Sequence, residues 1–240
     1  MDWACASSVA PRIYAQTEAM NTNIAFVEIA RTAEVLARMA TPYSMWLSDS
    51  EQTRLATLKV EARRDHYIAG HWLVRELLSQ AFGEAPSHWS LQERKSLPPR
   101  IINGNEKLRL SISHSGDWIA AAIAHVAIGI DIEQRPRQLD ASIESLLLNP
   151  GEAAGSLGND ALLQRWVAKE AWIKARNESA LPARLKQLHL HPATAEFASV
   201  SLYNNDAFHF ALAIAPAVSV TWRGKQKMIS GQNYCLSEWS

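Results

Sequence analysis

The stretch Ala127-Ile128-Gly129-Ile130-Asp131-Ile132-Glu133 alternates strictly between large apolar residues and small or acidic ones. Because successive side chains of a β-strand point to opposite faces, the isoleucines share one face, and Gly129, Asp131 and Glu133 share the other. Burial of each isoleucine would contribute roughly 1.5–3 kcal/mol and fix the strand register. The pattern predicts a half-buried strand with two parallel carboxylates, which suit Mg²⁺, and a Gly129 that lets a bulky anion approach. Taken alone, a solvated outer strand face explains the same pattern.

The composition is that of a globular protein, with 240 residues and 48% hydrophobic residues. The 24 basic and 24 acidic residues balance, which argues against a nucleic acid partner but not against a local phosphate site. Cys5 and Cys235 lie near opposite ends and give neither a disulfide framework nor a metal-binding spacing, so a cytoplasmic protein is expected. The apolar run at 119–130 is too short to span a bilayer, so no membrane association is expected. Residues 1–22 do not read as a signal peptide and are expected to be a disordered leader.

Two helices are predicted upstream of the carboxylate strand. Ser48 offers an N-cap for a helix that runs through Leu58 toward residue 64, and a second helix is expected at 67–82. The basic side chains in this region, which include Arg54, Arg64 and His66, are equally explained by a solvated amphipathic face.

The segment just before the carboxylate strand combines a loop and two strands. Residues 97–105 are expected to form a loop that carries Arg100, and the following strand ends at Ser113 and His114. Imidazole and hydroxyl groups can donate hydrogen bonds to a phosphate, although turn formation also explains them. Residues 119–124 are nearly free of polar side chains and predict a strand buried on both faces.

A strong helix is predicted at 161–176, followed from residue 185 by two or three strands that pack on it. Trp166, Glu170 and Lys174 are spaced four residues apart and share one face of this helix. An exposed pair of Glu170 and Lys174 at this spacing would contribute only about 0.3–0.5 kcal/mol, which is the alternative explanation of the motif.

Three motifs together resemble the 4′-phosphopantetheinyl transferases: Gly-Ile-Asp-Ile-Glu at 129–133, Trp-x-x-Lys-Glu-x-x-x-Lys at 166–174 and Ile-Ser-His-Ser-Gly-Asp-Trp at 112–118. The chain is too long for the single-unit, fatty-acid type and is more similar to the two-subdomain, surfactin-synthetase-activating (Sfp-like) type. The resemblance implies an α+β fold of two similar subdomains related by a pseudo-twofold axis, expected at 23–124 and 125–240. Coenzyme A would lie in the cleft between them.

The resemblance also implies residue roles. Asp131, Glu133 and Glu170 match the acids that bind Mg²⁺ with the coenzyme A pyrophosphate, and Glu170, Lys174 and His114 match the catalytic positions. The implied coenzyme A contacts, which match basic or phosphate-side positions of the family, are Arg54, Arg64, His66, Arg100, Ser113, His114 and Lys174. The implied reaction transfers the phosphopantetheine arm to a serine of an acyl or peptidyl carrier protein, of a kind used in polyketide or nonribosomal peptide biosynthesis, and releases 3′,5′-ADP. A monomer is expected.

Two departures from the family pattern leave alternatives open. Pro98-Pro99-Arg100 stands where many members have Gly-Lys-Pro, so that a phosphate-contacting lysine is missing and Arg100 is the candidate substitute. Asn177 stands near the place of a glycine and is compatible with a left-handed helix cap. A catalytically silent relative that binds coenzyme A or a carrier protein is the first alternative to an active transferase. A generic Mg²⁺-dependent phosphohydrolase is the second.

Overall fold

The computed structural model describes residues 23–152, 157–178, 184–224 and 229–238, and the expected leader at 1–22 lies outside them. The elements of the first half, in chain order, are β1 Ile24–Arg31, α1 Thr32–Ala37, α2 Asp49–Thr57, α3 Glu61–Phe82, β2 Leu91–Arg94, β3 Leu97–Ile101, β4 Arg109–Ser115 and β5 Trp118–Ala124. Those of the second half are β6 Ile128–Gln134, α4 Ala141–Leu147, α5 Asn159–Ala175, β7 Leu188–Pro192, β8 Val200–Asn204, β9 Phe208–Ile214, β10 Ser219–Arg223 and β11 Ile229–Glu238.

These elements form two main sheets and one separate hairpin, which confirms the predicted α+β class. The first sheet has the order β10-β1-β5-β4, the second has the order β6-β9-β8-β11-β7, and β2 pairs with β3 alone. Helix α3 packs on the first sheet and α5 on the second. Strand β10 comes from the second half but runs parallel to β1 in the first sheet. The division of the chain at residues 124 and 125 stays a prediction.

The two main sheets meet at their edge strands β4 and β6. The Ser111 hydroxyl accepts a hydrogen bond from the Ile130 amide at 3.1 Å, and the Ser113 hydroxyl accepts one from the Ile132 amide at 3.3 Å. Serine side chains therefore satisfy backbone N–H groups that an ordinary strand ladder would pair with carbonyl groups. This polar seam brings the beginning of the motif at 112–118, called the histidine motif, against the carboxylate strand β6.

The structure corrects two predicted elements and confirms a third. The helix that begins at Ser48 has the expected capping box with Glu51, but it ends at Thr57 and α3 begins at Glu61. The predicted loop at 97–105 is wrong in its first part, because β3 pairs with β2 and its prolines lie in a two-stranded ribbon, where edge positions tolerate them. The prediction of two or three strands that follow residue 185 and pack on the helix is confirmed, because β7, β8 and β9 all contact α5.

The carboxylate strand β6 is buried on both faces, so the prediction of a half-buried strand is wrong. Ile128, Ile130 and Ile132 pack in a core with β1, β5 and β9, and helix α5 covers the opposite face. A Cβ atom at Gly129 would lie 2.0 Å from the Ala171 carbonyl oxygen and 2.3 Å from the Ala175 nitrogen. The glycine therefore admits the helix backbone, and the expected approach of an anion at this position is wrong.

Candidate active site

Asp131 is the centre of the polar seam between β4, β6 and α5. Its Oδ1 accepts hydrogen bonds from the Ser113 hydroxyl at 2.7 Å and from Lys174 Nζ at 2.5 Å. The side chain is almost fully buried, and its Oδ2 is buried without a hydrogen-bond partner within the described part of the chain. An unpartnered carboxylate oxygen in a buried place is costly, so this oxygen is available for a bound cation.

Helix α5 supplies Glu170 and Lys174, one turn apart on the face that meets β6. Lys174 Nζ lies 3.4 Å from Glu170 Oε2, so that the ammonium group bridges Glu170 and Asp131. Burial, and then the charge of Asp131, raise the pKa of Glu170 to about 7. Burial alone would lower the pKa of Lys174, but the two carboxylates outweigh it and raise that pKa. Lys174 therefore stays charged at neutral pH, while Glu170 can exchange a proton there.

Glu133 follows Asp131 on the same face of β6 but has different partners. Its carboxylate accepts a hydrogen bond from the Ser115 hydroxyl and forms an ion pair with Arg137. The structure thus brings together Asp131, Glu170 and Lys174 through direct contacts, whereas Glu133 lies beside them in a separate pair.

His114 lies at the end of β4 with its ring stacked on His66, with 4.4 Å between the ring centroids. His66 Nε2 lies 2.8 Å from the Gly116 carbonyl oxygen and donates to it. Partial burial, and then the neighbouring His66 and Lys174, lower the pKa of His114 to about 4. His114 is therefore neutral at pH 7 in this structure, and it can donate a hydrogen bond but does not carry a proton to transfer.

A cavity of about 800 Å³ opens beside Lys174 and is called the Lys174 cavity. Its wall includes Arg54 from α2, Arg94 and Lys95 from the β2–β3 hairpin, and Asn177 after α5. Asn177 adopts the left-handed conformation with φ of 55°, as expected for a residue at a helix end. Arg54 is exposed and makes a local hydrogen bond to Thr57.

Two of the predicted coenzyme A contacts lie elsewhere. Arg64 donates to the Leu55 carbonyl oxygen at 2.9 Å and so caps the end of α2. Arg100 lines a neighbouring cavity of about 640 Å³, called the Lys107 cavity, which it shares with Lys107 and Arg109. Their contacts with coenzyme A stay predictions, and the structure gives both side chains other surroundings.

Several polar partners of the site were not among the predicted residues. Arg137 forms an ion pair with Glu133 and Ser115 donates a hydrogen bond to it, and nothing in the sequence marks Arg137 for this role. Arg94 and Lys95 precede the Pro-Pro-Arg segment, and these two adjacent basic residues were the available signal for the basic wall of the Lys174 cavity.

Within the described ranges, no group of three or more His, Cys, Asp or Glu side chains is arranged to hold a metal ion. The donor set nevertheless suits a hard cation, because Asp131 has a buried oxygen without a partner and Glu170 has a raised pKa. Both features indicate that the negative charges of Asp131 and Glu170 are not fully compensated by neighbouring positive charge.

Comparison with known proteins finds similarity to one family, and the match to its model lies in the second half of the chain. Residues 127–227 match the model of the 4′-phosphopantetheinyl transferase superfamily. The chain is 26% identical over 140 residues to the 4′-phosphopantetheinyl transferase psf-1 of Bacillus pumilus, which covers 53% of this chain and 58% of that protein. It is 30% identical over 131 residues to a 4′-phosphopantetheinyl transferase of Bacillus subtilis, with coverage of 52% and 56%. The chain thus spans little more than half the length of these relatives.

The resemblance seen in the sequence is therefore confirmed by the match of residues 127–227 to the model of this superfamily and by the similarity to two named transferases. The matched segment contains β6 and α5 with their acids, but the histidine motif at 112–118 lies outside it. None of the helices in the described ranges is long and apolar enough to cross a membrane.

Proposed function

We propose that this protein is a 4′-phosphopantetheinyl transferase that uses coenzyme A to modify a serine of an apo acyl or peptidyl carrier protein. The observation that carries the proposal is the contact of Lys174 with Asp131 and Glu170 at the edge of a cavity with a basic wall. A cavity lined by cations suits the phosphates of coenzyme A, and a carboxyl group with a pKa of about 7 suits a general base.

In the proposed reaction, the serine hydroxyl oxygen forms a bond to the β-phosphorus of coenzyme A. The bond from this phosphorus to the bridging oxygen breaks, and 3′,5′-ADP leaves with the electron pair. Glu170 accepts the serine proton, because its carboxylate lies 3.4 Å from Lys174, which lines the cavity proposed for the donor. Lys174 stabilises the negative charge on the leaving phosphate, and neutral His114 donates a hydrogen bond there.

Asp131 and Glu170 are the residues that would hold Mg²⁺, with Glu133 as a further oxygen ligand after release from Arg137. When bound, the cation would neutralise pyrophosphate charge and orient the phosphates. The chain's own contribution is to place Lys174 between the two carboxylates, which keeps them close before any ligand binds.

The test is intact-mass spectrometry of apo acyl and peptidyl carrier proteins incubated with the protein, coenzyme A and Mg²⁺. The expected result is a mass gain of one phosphopantetheine arm, lost with EDTA and with Glu170→Gln. A parallel titration of coenzyme A monitors binding. Bound coenzyme A without modification of any carrier would support the catalytically silent relative instead, and cleavage of coenzyme A without an acceptor would support a phosphohydrolase.

A further inference from the structure

The β2–β3 hairpin forms one wall of the Lys174 cavity, yet it is paired into neither main sheet. A lone two-stranded hairpin is marginally stable in water, so contacts outside its own ladder must hold it in place. The hairpin matters for the proposed function because Arg94 and Lys95, at its tip, are two of the cations on the cavity wall.

Glu93 connects this hairpin to a buried network on α3. Its Oε1 accepts a hydrogen bond from the Tyr67 hydroxyl at 2.8 Å and lies 3.4 Å from His71 Nε2. His71 Nδ1 lies 2.7 Å from Glu51 Oε1, and Arg75 forms a two-point ion pair with the same carboxylate at 2.8 and 2.9 Å. The ring of Tyr67 also stacks on His71. The hairpin is thus tied to both α2 and α3.

The inner part of the network is rigid. Glu51 and Arg75 are fully buried, and Arg75 donates further hydrogen bonds to the carbonyl oxygens of Trp89, Trp46 and His71. With its donors occupied at fixed positions, the guanidinium group holds Glu51 and His71 in one arrangement. The phenol and the imidazole therefore present Glu93 with a fixed pair of partners.

The placement of Glu93 is otherwise hard to reconcile with a site for anions. A carboxylate on the cavity wall would repel the phosphates of coenzyme A, and the wall has a second one in Glu178. Both carboxylates have partners outside the cavity, since Glu178 forms ion pairs with Arg176 and Arg184 while Glu93 accepts a hydrogen bond from Tyr67. Lys95 makes no hydrogen bond or ion pair within the described residues. Lys95 is therefore available to contact a ligand in the Lys174 cavity.

We propose that Tyr67 and Glu93 are positioning residues, which hold the hairpin so that Lys95 contacts a phosphate of the coenzyme A donor. This inference rests on the proposed function. It assigns a phosphate contact to Lys95, which lies in the turn between β2 and β3, whereas the lysine that many family members have would stand in the Pro98-Pro99-Arg100 segment of β3. Lys95 is favoured over Arg100 for this role, because Lys95 lines the Lys174 cavity itself, whereas Arg100 lines the adjoining Lys107 cavity, which shares Arg94, Pro99 and Asn177 with it.

The experiment measures the dissociation constants of coenzyme A and 3′,5′-ADP by isothermal titration calorimetry, together with KM and kcat for carrier modification. Lys95→Ala is expected to weaken binding of both ligands by about tenfold, since a charge-assisted contact to phosphate is lost, and to reduce the salt dependence of binding. Tyr67→Phe deletes only the hydroxyl and is expected to weaken binding by about fivefold. Both variants should raise KM for coenzyme A while kcat changes less than about twofold.

The double variant Tyr67→Phe with Lys95→Ala distinguishes two cases. Tyr67 either affects coenzyme A binding through the position of Lys95, or the two residues affect binding independently of each other. If Tyr67 acts through Lys95, the double variant binds no more weakly than Lys95→Ala alone. Additive losses, or an unchanged dissociation constant for Tyr67→Phe despite a lower melting temperature, would overturn the positioning role. Lys107→Ala controls for loss of an exposed cation from the neighbouring cavity, and Tyr203→Phe controls for loss of a half-buried hydroxyl in the second half.

Failure of the two proposals gives different results. Wild-type protein that binds neither coenzyme A nor 3′,5′-ADP would overturn both the proposed function and this inference. Wild-type protein that modifies a carrier while Lys95→Ala binds normally would overturn the inference alone.

Discussion

The sharpest test of how the site is assembled is Gly129→Ala. The new Cβ would lie 2.0 Å from the Ala171 carbonyl oxygen, whereas ordinary van der Waals contact begins at 3.4 Å. Helix α5 must therefore retreat from β6 by about 1.4 Å, the difference between these two distances. Both close neighbours of the Cβ are backbone atoms, so no side-chain rotation relieves the clash. Overpacking of this kind costs about 3 kcal/mol.

The same movement would separate Lys174 from Asp131, whose atoms lie 2.5 Å apart. We expect a melting temperature lower by about 6–12 °C, with loss of most carrier modification even below the transition. Thermal denaturation measures the change in melting temperature. Intact-mass assays, run about 20 °C below the melting temperature of each variant, measure the loss of carrier modification. Gly158→Ala is the matched control, because Gly158 caps the same helix with open space around its Cβ position. Equal stability and activity of Gly129→Ala and wild type would refute the direct packing of helix backbone on Gly129.

Three further outcomes are expected. Burial alone would raise the pKa of Glu51, but its buried histidine and arginine partners lower it to about 2. The carboxylate therefore contributes roughly 3 kcal/mol of stability above pH 4.5, and this contribution is lost as the pH falls toward 2. In urea titrations, the free energy of unfolding of Glu51→Gln should decrease less between pH 4.5 and 2 than that of the wild type. Lys169→Met should cost about 3–5 kcal/mol in urea denaturation, because it leaves the buried Glu152 carboxylate without its 2.5 Å partner, and adding Glu152→Gln should restore part of the loss. Lys174→Met should lower carrier modification by about 10²-fold or more, with an unchanged circular dichroism spectrum, since Asp131 loses the cation that also faces the cavity.

The sequence by itself determined the parts of the site that depend on local periodicity. The two-residue period of 127–133 placed Asp131 and Glu133 on one strand face, and β6 occupies Ile128–Gln134. The four-residue spacing of Glu170 and Lys174 placed them on one helix face, and their side chains meet at 3.4 Å. A repeat of two or of about four residues is a property of neighbouring positions, so it can be deduced without knowing what the element packs against.

Only the tertiary structure decided which charges meet and what the glycine is for. Lys174 contacts Asp131, which lies 43 positions away in the sequence. Tyr67 donates a hydrogen bond to Glu93 on the β2–β3 hairpin, whose second strand was predicted as a loop because of its prolines. Gly129 admits the backbone of α5 instead of an anion. These contacts join elements that are distant in the chain, and their partners are set by how sheets and helices pack, because charged side chains pair with whichever opposite charge the fold brings within reach.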